Sequence, residues 1–540
     1  MVSPADVSEG EAATALRGGR SLALAVLCVI LFLTFLDNTV VSVALGDIQS
    51  QLHAGVSSLQ WVVGAYALTF AGAMLGFGMV GDEFGRKRVM VIGIIIFCAG
   101  SILCARASSV GVLIAGRAVM GFGAAASEPG TLSMIRHVYT DERERSWALG
   151  VWTAVSGVAL AMGPVIGGAL IGSQGHWRNI FWFNLVVGAL ALVGALAVLP
   201  ENADPDGHRV DIAGSVLSAG ALTALAFAVI MAEGSSFGSP PVIVLLCVSA
   251  AAVVGFFWWE GRAPHPLLDL KFIRVPRFLV ANVVAFCAYF ATFAVFFFSA
   301  LYLEEVAGYS GYQIALVFLP MMILLTAAAL VAARWTVTVG PRATIFTGCL
   351  LFALGLLLTS FTISPNPGYL PLAAALSLTG IGVGFTVVPA TSSALSAVPP
   401  ERSGMAASTT NTSREVGAVT GVAVLGALVS AKLSADIIAR LQALGLPKSI
   451  SQIVINGVET GLVPASGNTK GAGGAAGAGQ GKLVQEVIQA AYNAFGSGLH
   501  AALYLSAIVV LAAGVFSFFW LRRKDPGEAA AQPVQADAPA

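Results

Sequence analysis

The chain has 540 residues, of which 57% are hydrophobic and only 10% charged, with acidic and basic residues in equal number. A soluble globule carries about 25% charged residues, and the mean hydropathy here is +0.85. This composition excludes a soluble multidomain enzyme. With no basic block it also excludes a nucleic-acid-binding protein. It describes an all-α polytopic membrane protein.

Residues 1–20 are polar and small, which predicts a disordered cytoplasmic N-terminus. The first apolar run covers residues 21–45. About 20 residues at 1.5 Å rise cross roughly 30 Å of hydrocarbon. No small-residue cleavage site follows, so the run is read as a retained span rather than a signal peptide. Asp37 is its one formal charge. A carboxylate at membrane depth costs at least roughly 2.5–3.5 kcal/mol, a cost that proton uptake removes. Asp37 is therefore a candidate proton carrier, the alternative being a structural ion pair.

Thirteen further apolar runs of spanning length follow, beginning near residues 59, 89, 110, 147, 180, 211, 241, 279, 312, 343, 370, 405 and 498. Lysine and arginine gather in alternate loops, at Arg86-Lys87-Arg88, Arg143 with Arg145, Arg334 with Arg342, and Arg522-Arg523-Lys524. By the positive-inside rule those loops and both termini are cytoplasmic. The long connection 431–497 then lies outside, with two helical patches around the linker GNTKGAGGAAGAGQG. The tail 523–540 is predicted to be disordered.

A weak repeat relates the fourth and twelfth spans. Gly121–Pro129 followed by Asp141–Arg145 resembles Gly380–Pro389 followed by Glu401–Arg402. Duplicated halves around a midplane site are a transporter device. The expected division is a first six-helix bundle at 21–200, two inserted helices with linkers at 201–278, and a second six-helix bundle at 279–522. Six cysteines inside or at the ends of apolar runs and scattered histidines give neither a disulfide framework nor metal-ligand spacing. No metal, cofactor or catalytic residue is expected.

After the second span comes GMVGDEFGRKR. Its Gly78, Asp82, Gly85, Arg86 and Arg88 resemble the signature loop of the major facilitator superfamily. A second copy is reduced to Gly340-Pro341-Arg342, with Val337 in the acid's place. In the fifth span Gly163-Pro164-Val165-Ile166-Gly167-Gly168, with Gly150 upstream, resembles the antiporter motif of proton-driven exporters. Leu36–Leu45 and Asn411–Gly417 resemble segments of the fourteen-helix drug:proton antiporters, and Arg117 with Gly121 and Gly123 matches that branch's RxxxGxG. The resemblance spans about residues 21–522. It implies the major facilitator fold, fourteen transmembrane helices, and export of amphipathic, cationic drugs against protons by alternating access in a plasma membrane, that of a bacterial cell. No covalent chemistry is implied.

In that frame Asp37 and Arg117 are proton-coupling candidates. Glu128, a second membrane acid just before Pro129 that matches no motif of the family, joins them, the alternative being an acid paired to arginine for structure. Gly78, Asp82, Gly85, Arg86, Arg88, Gly163, Pro164, Gly167 and Gly168 are the gating candidates. Substrate contacts are assigned to Asp37, Glu128, Arg414, Glu415 and an aromatic face of the ninth span, Tyr289, Phe290, Phe293 and Phe297. Glu128 and Arg414 are expected to pair across the halves when the protein faces outward, with Asp37 and Arg117 together nearer the outside. The partners are a small amphipathic molecule, protons and membrane lipid. Two rival readings are an exporter of one endogenous lipid or secondary metabolite, and a membrane sensor or assembly partner that transports nothing.

Overall fold

The structure is a computed structural model. It describes residues 4–54, 56–171, 176–201, 211–233, 238–264, 266–309, 311–365, 367–399, 402–443 and 478–521. The glycine-rich part of the 431–497 connection and the tail 523–540 lie outside these residues. The described residues contain no strand and sixteen α-helices. In order these are α1 Pro4–Val40, α2 Leu45–Leu52, α3 Val56–Phe84, α4 Arg86–Ala105, α5 Val110–Val138, α6 Glu142–Ile171, α7 Arg178–Val198 and α8 Ile212–Glu233. There follow α9 Pro240–Glu260, α10 Leu270–Ile273, α11 Pro276–Glu305, α12 Gly311–Val339, α13 Pro341–Thr362, α14 Tyr369–Ser396, α15 Ser403–Ala443 and α16 Ala478–Trp520.

Among the described residues thirteen helices are long and apolar enough to cross a membrane. The fourteenth long helix, α6, has 30 residues and falls outside that set. It opens on the charged turn Glu142–Arg145. Asp141 caps it, its Oδ1 accepting from the backbone N–H of Glu144 at 3.0 Å and of Arg143 at 2.9 Å. These bonds, from Glu144 above all, hold the exposed Asp141 carboxyl below the usual carboxylate range.

Two bundles result. In the first, α5 lies against α3 and α4, α4 against α7, and α1 against α6 and α7. In the second, α14 lies against α11, α12 and α13, while α16 packs on α11, α13 and α15. Each has its own hydrophobic core, one around Leu27, Trp152 and Phe181, the other around Phe352, Leu372 and Leu499. The bundles meet along two seams, α6 against α12 and α3 against α15. Helices α8 and α9 pack on each other, and α8 also lies along α3 and touches α15.

The weak repeat is visible as matched packing. A Cβ on Gly123 would lie 2.5 Å from the Phe97 backbone nitrogen of α4, and one on Gly121 3.0 Å from the Tyr66 carbonyl carbon of α3. In the second half a Cβ on Gly382 would strike Phe352 of α13, and one on Gly380 would lie 3.1 Å from the Met321 carbonyl carbon of α12. Small residues at these positions let backbones touch where lipid gives no hydrophobic drive between helices. The two signature loops also match in backbone. Gly85 and Gly340 have φ of +101° and +98°, a region in which a Cβ is disfavoured.

Two sequence readings are corrected here. In the sequence Asp211 stands at the start of the seventh apolar span, a span end where charge is cheap. It is 8% exposed, accepts from Trp259 Nε1 at 2.9 Å and from the Gly214 N–H at 2.8 Å, and lies under the turn carrying buried Leu267 and Leu268. The chain between α9 and α10 folds back over the helix ends and covers it. The first span is not one α-helix to residue 45. Its last residues, Val41–Ala44, form a 3-10 turn four residues past Asp37.

Candidate functional site: two buried charge clusters and a closed end

The first cluster lies in the first bundle. Asp37 of α1 and Arg117 of α5 are both fully buried. The Arg117 guanidinium donates to Asp37 Oδ2 in an ion pair. Asn184 Nδ2 of α7 donates to Asp37 Oδ1 at 2.6 Å, and Arg117 Nε donates to the Val62 carbonyl at 2.9 Å. Arg117 also sits 4.5 Å from the Tyr66 ring centroid, and the Tyr66 hydroxyl donates to the Thr34 carbonyl at 3.0 Å. Four helices thus hold one charge pair. A buried ion pair is tolerated when its remaining donors and acceptors find partners, and here three neutral groups supply them.

The antiporter motif presses on the same spot. A Cβ on Gly163 would lie 2.8 Å from Thr39 Cβ and 3.0 Å from Val40 N, and one on Gly167 2.9 Å from the Val40 carbonyl. Gly168 has open space around its Cα, so close approach does not require glycine there. The Pro164 side chain lies outside the described part. Gly150, upstream in α6, faces the other half, where a Cβ would lie 3.1 Å from the Ala329 carbonyl of α12. Gly163→Leu is expected to push α6 away from the end of α1 and to lower the melting midpoint by several degrees, since overpacking costs about 1–3 kcal/mol. A thermal melt of the purified variant equal to the parent's would disprove the contact.

The second cluster lies between the halves. Glu128 of α5 and Arg414 of α15 are 2% and 3% exposed. They do not form the direct pair expected from their depths. Asn411 stands between them, its Nδ2 donating to Glu128 Oε1 at 3.2 Å and its Oδ1 accepting from Arg414 at 3.1 Å. Three residues before Arg414 is one helical turn, so α15 presents both groups on one face and the shorter amide reaches Glu128 first. The arginine also donates to Thr391 Oγ1 of α14. Its guanidinium carbon lies 5.4 Å from the ring centroids of Trp152 in α6 and Tyr289 in α11, one from each half. Glu128 Oε2 and Arg414 Nε are buried without a hydrogen-bond partner. Glu415, next to Arg414 in sequence, is half-buried.

Of the expected aromatic face, Tyr289 joins this cluster. Phe290 is 6% exposed, with its backbone against Gly421 of α15. Phe297 is 46% exposed and meets Phe298 edge-on at 5.1 Å. The Phe293 side chain lies outside the described part.

The end carrying the basic loops is closed. Asp82, at the last turn of α3, reaches the first turn of α15 in the other half. Its Oδ1 accepts from the Gly404 N–H and its Oδ2 from the Met405 N–H, both at 3.0 Å. A carboxylate at a helix N-terminus is stabilised by free N–H groups and the helix dipole. Arg86 holds Asp82 from its own side, Nε and a terminal nitrogen donating at 2.9 and 2.7 Å. Gly78 lies one turn earlier, where a Cβ would sit 2.8 Å from the Gly404 carbonyl. Arg88 forms an exposed ion pair with Glu201 at 3.4 Å. Arg136 adds a second clasp by donating to the Leu395 and Val398 carbonyls at the end of α14.

Asn184, Asn411, Trp152, Thr391 and Tyr66 are site residues the sequence reading missed. Asn184 is an isolated amide in an apolar span, the one signal that could have singled it out.

The chain belongs to the Major Facilitator Superfamily, whose family model matches residues 27–422. It is a multi-pass membrane protein of a transporter family and not of an enzyme family. It is 32% identical over 407 residues to the multidrug resistance protein Stp of Mycobacterium tuberculosis, covering 75% of both chains. It is 32% identical to the methylenomycin A resistance protein of Bacillus subtilis, covering 75% of this chain and 87% of that one. The tetracenomycin C resistance and export protein of Streptomyces glaucescens is 28% identical over 97% of this chain and 96% of its own. Among solved structures, the human organic anion transporter MFSD10 superposes with a TM-score of 0.61 at 14% identity, covering 92% of this chain and 99% of that one. That likeness concerns the fold.

Proposed function

We propose that this protein exports amphipathic, cationic drugs or toxic compounds across the plasma membrane in exchange for protons, by alternating access. The observation that carries the reading is the pair of buried acids, Asp37 and Glu128, each in a network containing an arginine and spanning several helices. The names of the resistance and export relatives support a drug as cargo. On this reading the basic-loop end is cytoplasmic, both termini are inside, and the protein faces outward in the present arrangement. Asp37, Arg117 and Glu128 carry the proton exchange. Arg414, Glu415 and Tyr289 meet the cargo, because they converge where the two halves join.

The mechanism is electrostatic. Proton arrival at Glu128 weakens its hold on the Asn411 amide, because a neutral carboxyl is a poorer acceptor than a carboxylate. The amide then keeps only its bond from Arg414, and the contact between α5 and α15 loosens. A cationic substrate displaces the proton by competing for the same carboxylate. No bond to the substrate forms or breaks.

The test is drug efflux from proteoliposomes under an imposed pH gradient, with a panel of lipophilic cations. Glu128→Gln is expected to lower gradient-driven efflux at least tenfold while leaving the protein monodisperse, because glutamine still bonds Asn411 but carries no exchangeable charge. Asp37→Asn is expected to abolish drug-driven proton movement in the same vesicles. Coupled flux equal to the parent's in both variants would end the proton reading. No efflux of any cation by the parent would favour the single-metabolite exporter or the non-transporting rival.

A further inference from the structure

A cavity of about 700 Å³ opens at the basic-loop end, where α1, α5 and α6 of the first half meet α12 of the second. It lies on the α6–α12 seam and is separate from both buried clusters. Three arginines line it, Arg20, Arg143 and Arg334, against one acid, Glu144. Glu144 is already engaged, accepting from Arg20 at 3.1 Å. The Arg20 backbone is fixed as well, its carbonyl accepting from the Tyr139 hydroxyl at 2.9 Å. Two cationic groups remain. The Arg334 side chain is exposed and makes no hydrogen bond or ion pair among the described residues, only its carbonyl accepting from the Thr338 hydroxyl. The side chain of Arg143 likewise makes no hydrogen bond or ion pair among the described residues, its charge reaching only the exposed Asp141 carboxyl two residues earlier.

Those two guanidinium groups come from opposite halves. Like charges facing one cavity repel, so an empty pocket works against the closed seam and an anion within it favours the seam. Trp147, 41% exposed on α6, lines the same cavity. An amphipathic indole at a helix end marks the headgroup level of a bilayer. Basic pockets between transmembrane helices at this level bind anionic headgroups, and guanidinium matches phosphate oxygens in a two-pronged geometry.

The geometry points to a binding site for a phosphate monoanion presented at the headgroup level, an anionic phospholipid such as a phosphatidylglycerol, that bridges Arg143 and Arg334 across the α6–α12 seam. The acyl chains run outward past Trp147 along α6 and α12. The bridging charge favours closure of this end of the protein. The net positive lining also turns away a cationic drug, so this cavity is distinct from the cargo path proposed above.

The experiment uses the purified full-length protein in phosphatidylcholine vesicles doped with bromine-labelled lipid. The Trp147 signal is isolated as the difference between the protein and Trp147→Phe. Brominated phosphatidylglycerol is expected to quench this signal at lower mole fraction than brominated phosphatidylcholine does. Arg143→Gln combined with Arg334→Gln should weaken that preference about thirtyfold, since each basic group near an anionic surface contributes a several-fold factor. Arg143→Lys with Arg334→Lys should keep most of it, which separates charge from misfolding. Glycerophosphate in the medium is the control for a soluble phosphate ester. Competition by it at millimolar concentration would reassign the site to a soluble ligand and overturn the lipid. Equal quenching by the two lipids, or a preference unchanged in the glutamine pair, would overturn the site itself. The readout needs no transport, so it stands or falls apart from the export reading.

Discussion

Arg117→Ala is expected to destabilise the protein by about 3–5 kcal/mol, the largest single-residue effect in the first bundle. The variant leaves Asp37 fully buried with one amide, Asn184, as its remaining side-chain partner. It also frees the Val62 carbonyl and removes the cation from the Tyr66 ring. Asp37→Asn should cost much less, because the amide can still meet Arg117 and Asn184 by hydrogen bonds. The double variant Asp37→Asn with Arg117→Gln should recover part of the loss, since no lone charge stays buried. Melting midpoints of the four purified proteins give the ordering. If Arg117→Ala melts with the parent, the ion pair lends no stability and the pair's role lies elsewhere.

Asp82→Ala is expected to shift the balance between closed and open states of the basic-loop end by roughly a hundredfold toward open. Two charge-assisted bonds to the α15 N-terminus disappear, and hydrogen bonds to charged groups contribute about 1.5–3 kcal/mol each. Part of that is recovered by water at the freed N–H groups, which leaves about 3 kcal/mol. A cysteine in place of Thr410, 1% exposed behind the latch, reports the change in a background without other cysteines. Its rate of reaction with a bulky thiol reagent should rise steeply in the Asp82→Ala protein. An unchanged rate would show that Arg136 and the Gly78–Gly404 contact close this end without Asp82.

Much of this arrangement could be read from the chain. Asp37 is the one formal charge of its apolar span, and Arg117, 80 residues later, has no acid within a turn of its own helix. A charge in lipid must find a partner. The signature loop could be placed because a positive-φ glycine and a basic run leave few alternatives at a helix-to-helix turn. The relation between Glu128 and Arg414 was legible only to the level of a shared depth. Span ends uncertain by several residues, at 1.5 Å per residue, cannot resolve whether two long side chains touch or an amide stands between them. Neutral Asn411 carried no charge signal, and Thr391 and Trp152 lie on helices that only packing brings to Arg414. Asp211 was misread for a related reason, because nothing in an apolar pattern shows that the following turn folds back over a helix end.

The inserted pair α8 and α9 makes the molecule lopsided with respect to the bilayer. One seam, α3 with α15, has α8 lying beside it as a screen. Among the described residues the opposite seam, α6 with α12, has no such cover, and it carries the arginine-lined cavity at its mouth. The two side faces of the molecule are therefore unequal: a lipid approaching α3 and α15 meets α8, while one approaching α6 and α12 meets the arginines directly.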